Sequence, residues 1–211
     1  MIKKMNKKKF ASNLAISFFF AAIFVLCYYF IFEDKIMPYV SLINTTAVRG
    51  EDIEIIAKYN IEAKRLIDYP SYGSKYATLE IPSINLILPV YHGDNKKILR
   101  LGVGHYTGSY FPGENGSILY AAHNNAGLFH DLDKIKIGDI ITIKTTYGTF
   151  NYKMSEYKIV KETDLSAFPF QHEKELLMLY TCWPIDKGIA GHRTERYVVY
   201  AEKIGDEIEK E

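Results

Sequence analysis

Between Phe10 and Phe32 the chain runs 23 residues without a charge, and no other feature restricts its fate so tightly. As an α-helix rising about 1.5 Å per residue, such a run spans the roughly 30 Å hydrocarbon core of a bilayer. Lys3, Lys4, Lys7, Lys8 and Lys9 precede it, while Glu33 and Asp34 follow, with Lys35 just beyond. Positive charge stays on the cytoplasmic side, so residues 1–32 are expected to form a basic leader and a single transmembrane signal anchor. The N-terminus is then cytoplasmic and the body extracytoplasmic, with Tyr28 and Tyr29 at the outer interface. A cleaved signal peptide is the competing reading. Its apolar region is usually about 7–15 residues long and ends at a small-x-small site, which Phe30-Ile31-Phe32-Glu33 does not supply.

The leader also explains a deceptive average. The 211 residues carry a formal net charge of +1. Without the five leading lysines the 26 basic residues fall below the 25 acidic ones, so the body is mildly acidic. That argues against a nucleic-acid binder driven by bulk positive charge. Hydrophobic residues at 48% and charged residues at 24% exclude a wholly disordered chain. Cys27 falls within the apolar run, leaving the body one cysteine, Cys182. Two cysteines build no disulfide framework, and no Cys/His spacing reads as a zinc site.

Residues 33–75 read as a stalk. Ile53, Ile56, Tyr59 and Ala63 recur at helical spacing, with Asp52 as a candidate cap, until Tyr69-Pro70-Ser71-Tyr72-Gly73 breaks the pattern. A spacer helix is the favoured reading, and a segment that covers an active site is the alternative.

From Tyr76 the periodicity turns to strands. Eight are expected: Ala77–Ile81, Leu86–Val90, Ser117–Ala122, Asp139–Thr145, Thr149–Met154, Tyr157–Glu162, Glu175–Thr181 and Arg196–Lys203. Tyr147-Gly148 marks a hairpin. Helical pieces are short, near Lys96–Leu101 and Leu128–Leu132. Many short strands without long alternating helices predict an all-β body, a closed or nearly closed barrel over residues 76–211. The tail Glu202–Glu211 is charged, so no second membrane span is expected there.

Cys182 ends the strand Leu179-Tyr180-Thr181-Cys182, where Trp183-Pro184 stops it. A lone thiol is often a buried core residue. As a nucleophile it needs a cationic or basic neighbour. His123, at the end of Ala121-Ala122-His123-Asn124, is the first candidate acid/base; His105, before Tyr106-Thr107-Gly108, is the second. His92, His130, His172 and His192 read as loop residues. Arg196 opens Arg196-Tyr197-Val198-Val199-Tyr200-Ala201. Its guanidinium offers five donors in a fixed fork, suited to an oxyanion, with Arg193 as the rival.

Thr181-Cys182 after an apolar run, His123 59 residues upstream and Arg196 14 residues downstream resemble the sortase family over Tyr76 to about Lys203. The resemblance implies an eight-stranded β-barrel. It also implies Cys182 as nucleophile, His123 as acid/base, Arg196 as oxyanion and substrate arginine, and Thr181 in support beside the nucleophile. The implied enzyme is a membrane-anchored cysteine transpeptidase acting on secreted proteins with a C-terminal Leu-Pro-x-Thr-Gly-like sorting signal. It would cut between Thr and Gly and join the thioacyl-bound protein to an amine of peptidoglycan or its lipid-linked precursor. No cofactor is required.

Calcium occurs in some relatives, and Asp131, Asp133, Glu173 and Glu175 have the right oxygens, but a solvated acidic surface is the favoured reading. Asp68-Tyr69-Pro70 reverses the Asp-Pro-aromatic lid motif of pilus-building relatives, which favours anchoring. Gly102-Val103-Gly104-His105-Tyr106 and the Thr-Cys-Trp-Pro context resemble class D most. Two other function classes remain open: an extracytoplasmic cysteine protease, for which Asn124 or Asn125 would have to reach the imidazole, and a membrane-anchored binding module without catalysis.

Overall fold

A sheet whose strands carry one apolar face can bury that face by closing on itself. That closure organises the computed structural model, which describes residues 7–31, 58–170, 173–185 and 193–208. A two-stranded antiparallel ribbon, β1 (Tyr59–Asn60) and β2 (Arg65–Leu66), precedes the barrel. The barrel strands are β3 (Lys75–Ile81), β4 (Leu86–His92), β5 (Val103–His105), β6 (Ser117–Ala121), β7 (Ile140–Thr145), β8 (Gly148–Lys161), β9 (Leu176–Trp183) and β10 (Glu195–Ile208). They close in the order β10-β8-β7-β3-β4-β5-β6-β9. The pairs β4–β5 and β6–β9 are parallel and the others antiparallel.

The expected eight strands are present in number, but two differ in identity. β5 has only three residues, one of them Gly104, and its pattern is too short to read. The strands expected at Thr149–Met154 and Tyr157–Glu162 are one strand, β8. Opposite it the register slips, with Ala201 facing Met154 and Tyr200 facing Glu156. The extra residue, Ser155, reverses which parity faces inward. Phe150, Tyr152 and Met154 point into the core; beyond the bulge Tyr157 and Ile159 take over that face and emerge exposed.

The interior is filled by Leu79, Ile81, Leu88, Ile118, Tyr120, Ile141, Ile143, Phe150, Tyr152, Leu177, Leu179 and Val199. A smaller cluster, Leu119, Met178, Val198 and Tyr200, lies on the outer face of β6, β9 and β10, where Phe168 and Tyr180 pack against it. The short helices fall near their expected places: α2 at Lys96–Leu99, following α1 at Lys7–Ile31, and a 3-10 turn at Phe129–Lys134.

Two expectations upstream of the barrel fare differently. The helix read through Ile53, Ile56, Tyr59 and Ala63 is not continued at Tyr59, which pairs with Leu66 in the ribbon; residues 51–57 lie outside the described residues. Leu66, 2% exposed, joins the barrel core, and Tyr59 stacks on Tyr147 at 5.5 Å. Tertiary contact thus outweighs the local spacing. The charge-free run falls on α1, a 25-residue helix with Phe18, Phe19, Phe20 and Phe24 exposed. Among the described residues, no helix is long and apolar enough to cross a membrane.

Candidate active site

Barrel register pairs two of the sequence candidates on neighbouring strands, and the third follows the end of a strand beside them. Across the antiparallel β9–β10 ladder, Cys182 stands directly opposite Arg196, so the two side chains share a face. It is the outer face, since Thr181 is buried at 1% exposure and Trp183 packs on the core. On the other side of β9, parallel β6 is paired as far as Ala121 with Tyr180. Ala122 N donates to the Tyr180 carbonyl at 3.3 Å, and His123 follows just beyond the paired residues. Side chains close the junction: Thr181 Oγ1 donates to the Ala122 carbonyl at 2.9 Å, and Asn124 Nδ2 donates to the Cys182 carbonyl at 3.0 Å. His123 begins a tight turn, closed by Phe129 N donating to the His123 carbonyl at 3.0 Å.

Cys182 is a free, half-buried thiol, which sets it apart from the fully buried core residues around it. Arg196 is held more firmly than sequence suggests. Its Nη2 donates to Glu162 Oε2 at 2.7 Å, and its Nη1 to the carbonyls of Arg193 at 2.8 Å and Glu195 at 2.9 Å. Tyr180, two residues before Cys182 on the same face, reports the local field. Burial pushes its hydroxyl up, the charges of Asp94 and Cys182 add to this, and Arg196 opposes it. Asp94 and Arg196 thus act on Tyr180 in opposite directions.

The second-choice histidine lies elsewhere. His105 is wholly buried, with Nδ1 bonded to Tyr76 Oη and Nε2 to Ser109 Oγ, each at 2.9 Å. Phe111 packs edge-on at 4.5 Å. Burial, then the neighbouring His92, lowers its pKa to about 3, and it serves as a neutral core group. His92 ends β4 and bonds the Pro70 carbonyl through Nδ1 at 2.7 Å, and His130 bonds the Asn124 carbonyl at 3.3 Å. His172 and His192 lie outside the described residues. Arg193 donates through Nη1 to Asn124 Oδ1 at 3.1 Å. Asn124 and Arg193 therefore touch the junction that holds Cys182. Sequence marked Asn124 only as a neighbour of His123, because its partners are 58 and 69 residues away.

Two of the four acids considered for calcium have other partners. Glu175 is buried and accepts from Gly113 N at 3.0 Å, Asn115 N at 3.2 Å, Tyr152 Oη and Lys203 Nζ. Asp131 pairs with Lys134 at 2.7 Å. Among the described residues, no group of three or more His, Cys, Asp or Glu side chains converges as a metal site.

Comparison with known proteins gives one consistent answer. The family model described as a sortase domain matches residues 79–204. Sortase D of Bacillus subtilis (strain 168) is 38% identical over 135 residues, covering 64% of this chain and 67% of that protein. The solved structure of a Clostridium perfringens sortase D5 transpeptidase superimposes with a TM-score of 0.58 at 26% identity, over 65% of this chain and 83% of that one. A Clostridium perfringens sortase C, solved with the C-terminal cell wall sorting motif, gives 0.58 at 34% identity, over 67% and 78%.

Proposed function

This chain belongs to the sortase family of cysteine transpeptidases, and from that premise we propose that Cys182, His123 and Arg196 carry its acyl transfer, with Thr181 in support. One observation supports this above the others: Cys182 pairs with Arg196 on the β9–β10 ladder, and β6, paired with β9 as far as Ala121 with Tyr180, ends two residues before His123. The Cys182 thiolate attacks the Thr carbonyl of a Leu-Pro-x-Thr-Gly-like signal, forming a C–S bond and an oxyanion. Guanidinium donors of Arg196 stabilise that oxyanion, the kind of contact worth about 10²–10³ in rate. Collapse breaks the Thr–Gly bond while imidazolium of His123 protonates the departing glycine amine. An incoming amine from peptidoglycan or its lipid-linked precursor then gives up a proton to His123 and attacks the thioester. The C–S bond breaks, Cys182 leaves as thiolate, and a new amide joins the secreted protein to the wall.

Anchoring of surface proteins, rather than pilus building, is the subclass reading, close to class D. We infer a single membrane anchor at residues 10–32, with the N-terminus cytoplasmic and the barrel outside. Its support is the sequence: 23 charge-free residues that follow five lysines. The sortase C solved with the C-terminal cell wall sorting motif makes such a signal the natural first substrate to try. Against a protease of the Cys-His-Asn kind, Asn124 aims its amide at the Cys182 carbonyl and at Arg193.

Mass spectrometry of the purified full-length chain, given a Leu-Pro-x-Thr-Gly-type peptide library and several amines, tests the reading. An amine-linked product cut after Thr, lost in Cys182→Ala, His123→Ala and Arg196→Ala, is expected. Hydrolysis alone would replace it with the protease, and no acyl-enzyme with any peptide would favour the binding module.

A further inference from the structure

Asn124 is the second residue of the turn that follows β6, yet it is only 7% exposed. A buried primary amide has to satisfy both ends at once. Here the nitrogen end donates to the Cys182 carbonyl at 3.0 Å and the oxygen end accepts from Arg193 Nη1 at 3.1 Å. The Arg193 carbonyl in turn accepts from Arg196 Nη1 at 2.8 Å, and Arg196 Nη2 donates to Glu162 at 2.7 Å. One hydrogen-bonded string therefore runs from the backbone of Cys182, through Asn124 and Arg193, to the guanidinium of Arg196. It joins the turn after β6 to the end of β9 and the start of β10, two strands that the ladder already pairs at this point.

We propose that Asn124 is a positioning residue, which fixes the Cys182 backbone and seats Arg193, and through Arg193 orients Arg196. The proposal rests on the reading of Cys182 and Arg196 as the reacting pair, and extends it to two residues outside that pair.

Chemistry explains the residue type. Aspartate in the same place accepts from Arg193 but has no proton for the Cys182 carbonyl. Alanine does neither. An amide of this length can donate to a carbonyl and accept from a guanidinium together. The ladder already holds the strands side by side. What the clamp adds is the orientation of the peptide after Cys182, and hence of the thiol. Misplacement of a reacting group by about 1 Å costs on the order of 10²-fold in rate, so a clamp of this kind acts on kcat more than on peptide affinity.

The test uses the full-length protein in detergent on a Cys27→Ser background, so that Cys182 is the one thiol. Asn124→Ala, Asn124→Asp, Arg193→Gln, the double variant Asn124→Ala/Arg193→Gln and the neighbouring control Asn125→Ala are compared. Three quantities are read: kcat and KM for peptide transfer to an amine, the rate of Cys182 alkylation by iodoacetamide at fixed pH, and Tm. Asn124→Ala is expected to lower kcat by about 10–100-fold, to change the alkylation rate severalfold, and to leave peptide KM within about twofold. Asn124→Asp should do no better, because it keeps the Arg193 half and loses the Cys182 half. Arg193→Gln should have a smaller effect, and the double variant should match Asn124→Ala, since both break one string. Asn125→Ala should behave as the parent protein.

Wild-type kcat and alkylation in Asn124→Ala would overturn the proposal. So would a loss explained entirely by lowered Tm, or strictly additive effects in the double variant. If the parent chain transfers no peptide, the reading of the site falls. The clamp is then decided by alkylation alone: a rate altered in Asn124→Ala upholds it, an unaltered rate ends it.

Discussion

Arg196 faces Cys182 across the β9–β10 ladder, and its guanidinium is bound at 2.7 Å to Glu162 on β10's other side, near the end of β8. The ion pair is largely shielded, its side chains being 20% and 28% exposed. Three N–H groups of the fork are committed to Glu162, Arg193 and Glu195, leaving Nε–H and one Nη2–H for a substrate oxygen. Arg196→Ala is expected to cut kcat/KM by about 10²–10³. Arg196→Lys should restore little of it, because an ammonium cannot hold the carboxylate, the carbonyls and the oxyanion from one planar fork. Glu162→Gln should keep the fold and cost about 3–10-fold in kcat/KM, through a less oriented arginine rather than a missing one. Steady-state kinetics on the three variants check the order.

His105 gives a prediction about acid stability rather than catalysis. Folded, it is held neutral, with its pKa lowered to about 3; unfolded, it titrates near 6.5. Between those values the unfolded chain binds more protons, so stability falls as pH drops from about 6.5 toward about 3. Its contribution is complete above that window. Denaturant unfolding followed from pH 7 to pH 4 should show the decline, and His105→Gln should flatten it while lowering stability at neutral pH. Peptide transfer per folded molecule should survive, since the His105 ring bonds Tyr76 and Ser109 in the core.

The barrel was legible because its strands are short apolar or alternating runs bounded by turn residues, and reading failed where a strand is interrupted or too short to show a pattern. The bulge at Ser155 made one strand resemble two. β5 is too short to show any period. The site was legible in part for a different reason. Cys182, His123 and Arg196 sit at the ends of apolar runs, so their positions can be read locally. The partners of Asn124, Arg193 and Glu162 could not be read, because they meet only once strands far apart in sequence are in register. Tyr59 shows the same limit from the other side. Its helical spacing is real in the sequence, but its hydroxyl bonds Gly113, 54 residues away, from a strand.

Glu175 is expected to matter for stability and not for the reaction. It lies at the start of β9, seven residues before Cys182, and its carboxylate gathers Gly113, Asn115, Tyr152 and Lys203. Glu175→Leu removes one partner of a buried pair and strands two backbone N–H groups. The expected cost is about 3–5 kcal/mol, or about 6–20 °C in Tm for a body of this size. Calorimetry measures the loss, and kcat per folded molecule at low temperature should stay within about twofold. A large kcat effect in a well-folded Glu175→Leu protein would show that the two ends of β9 are coupled.

The segment before the barrel makes the last prediction, because its contacts lie at the same far end. Tyr59 Oη donates to the Gly113 carbonyl at 2.7 Å, Leu66 N donates to Glu114 Oε1 at 3.1 Å, and Tyr69 Oη donates to the same oxygen at 2.7 Å. All three reach the loop that leads into β6, whereas His123 follows the other end of that strand. Leu66 is 2% exposed within the barrel core, where truncation of a leucine costs about 2–5 kcal/mol. Residues 58–69 therefore act as part of the folded body and not as a cover over Cys182. A chain beginning at residue 76 should melt well below one beginning at residue 58, and Leu66→Ala in the longer chain should account for much of the gap. Peptide KM should be the same in both wherever they are folded. A shorter chain with unchanged Tm and a lowered KM would show instead that this segment competes with substrate at the site.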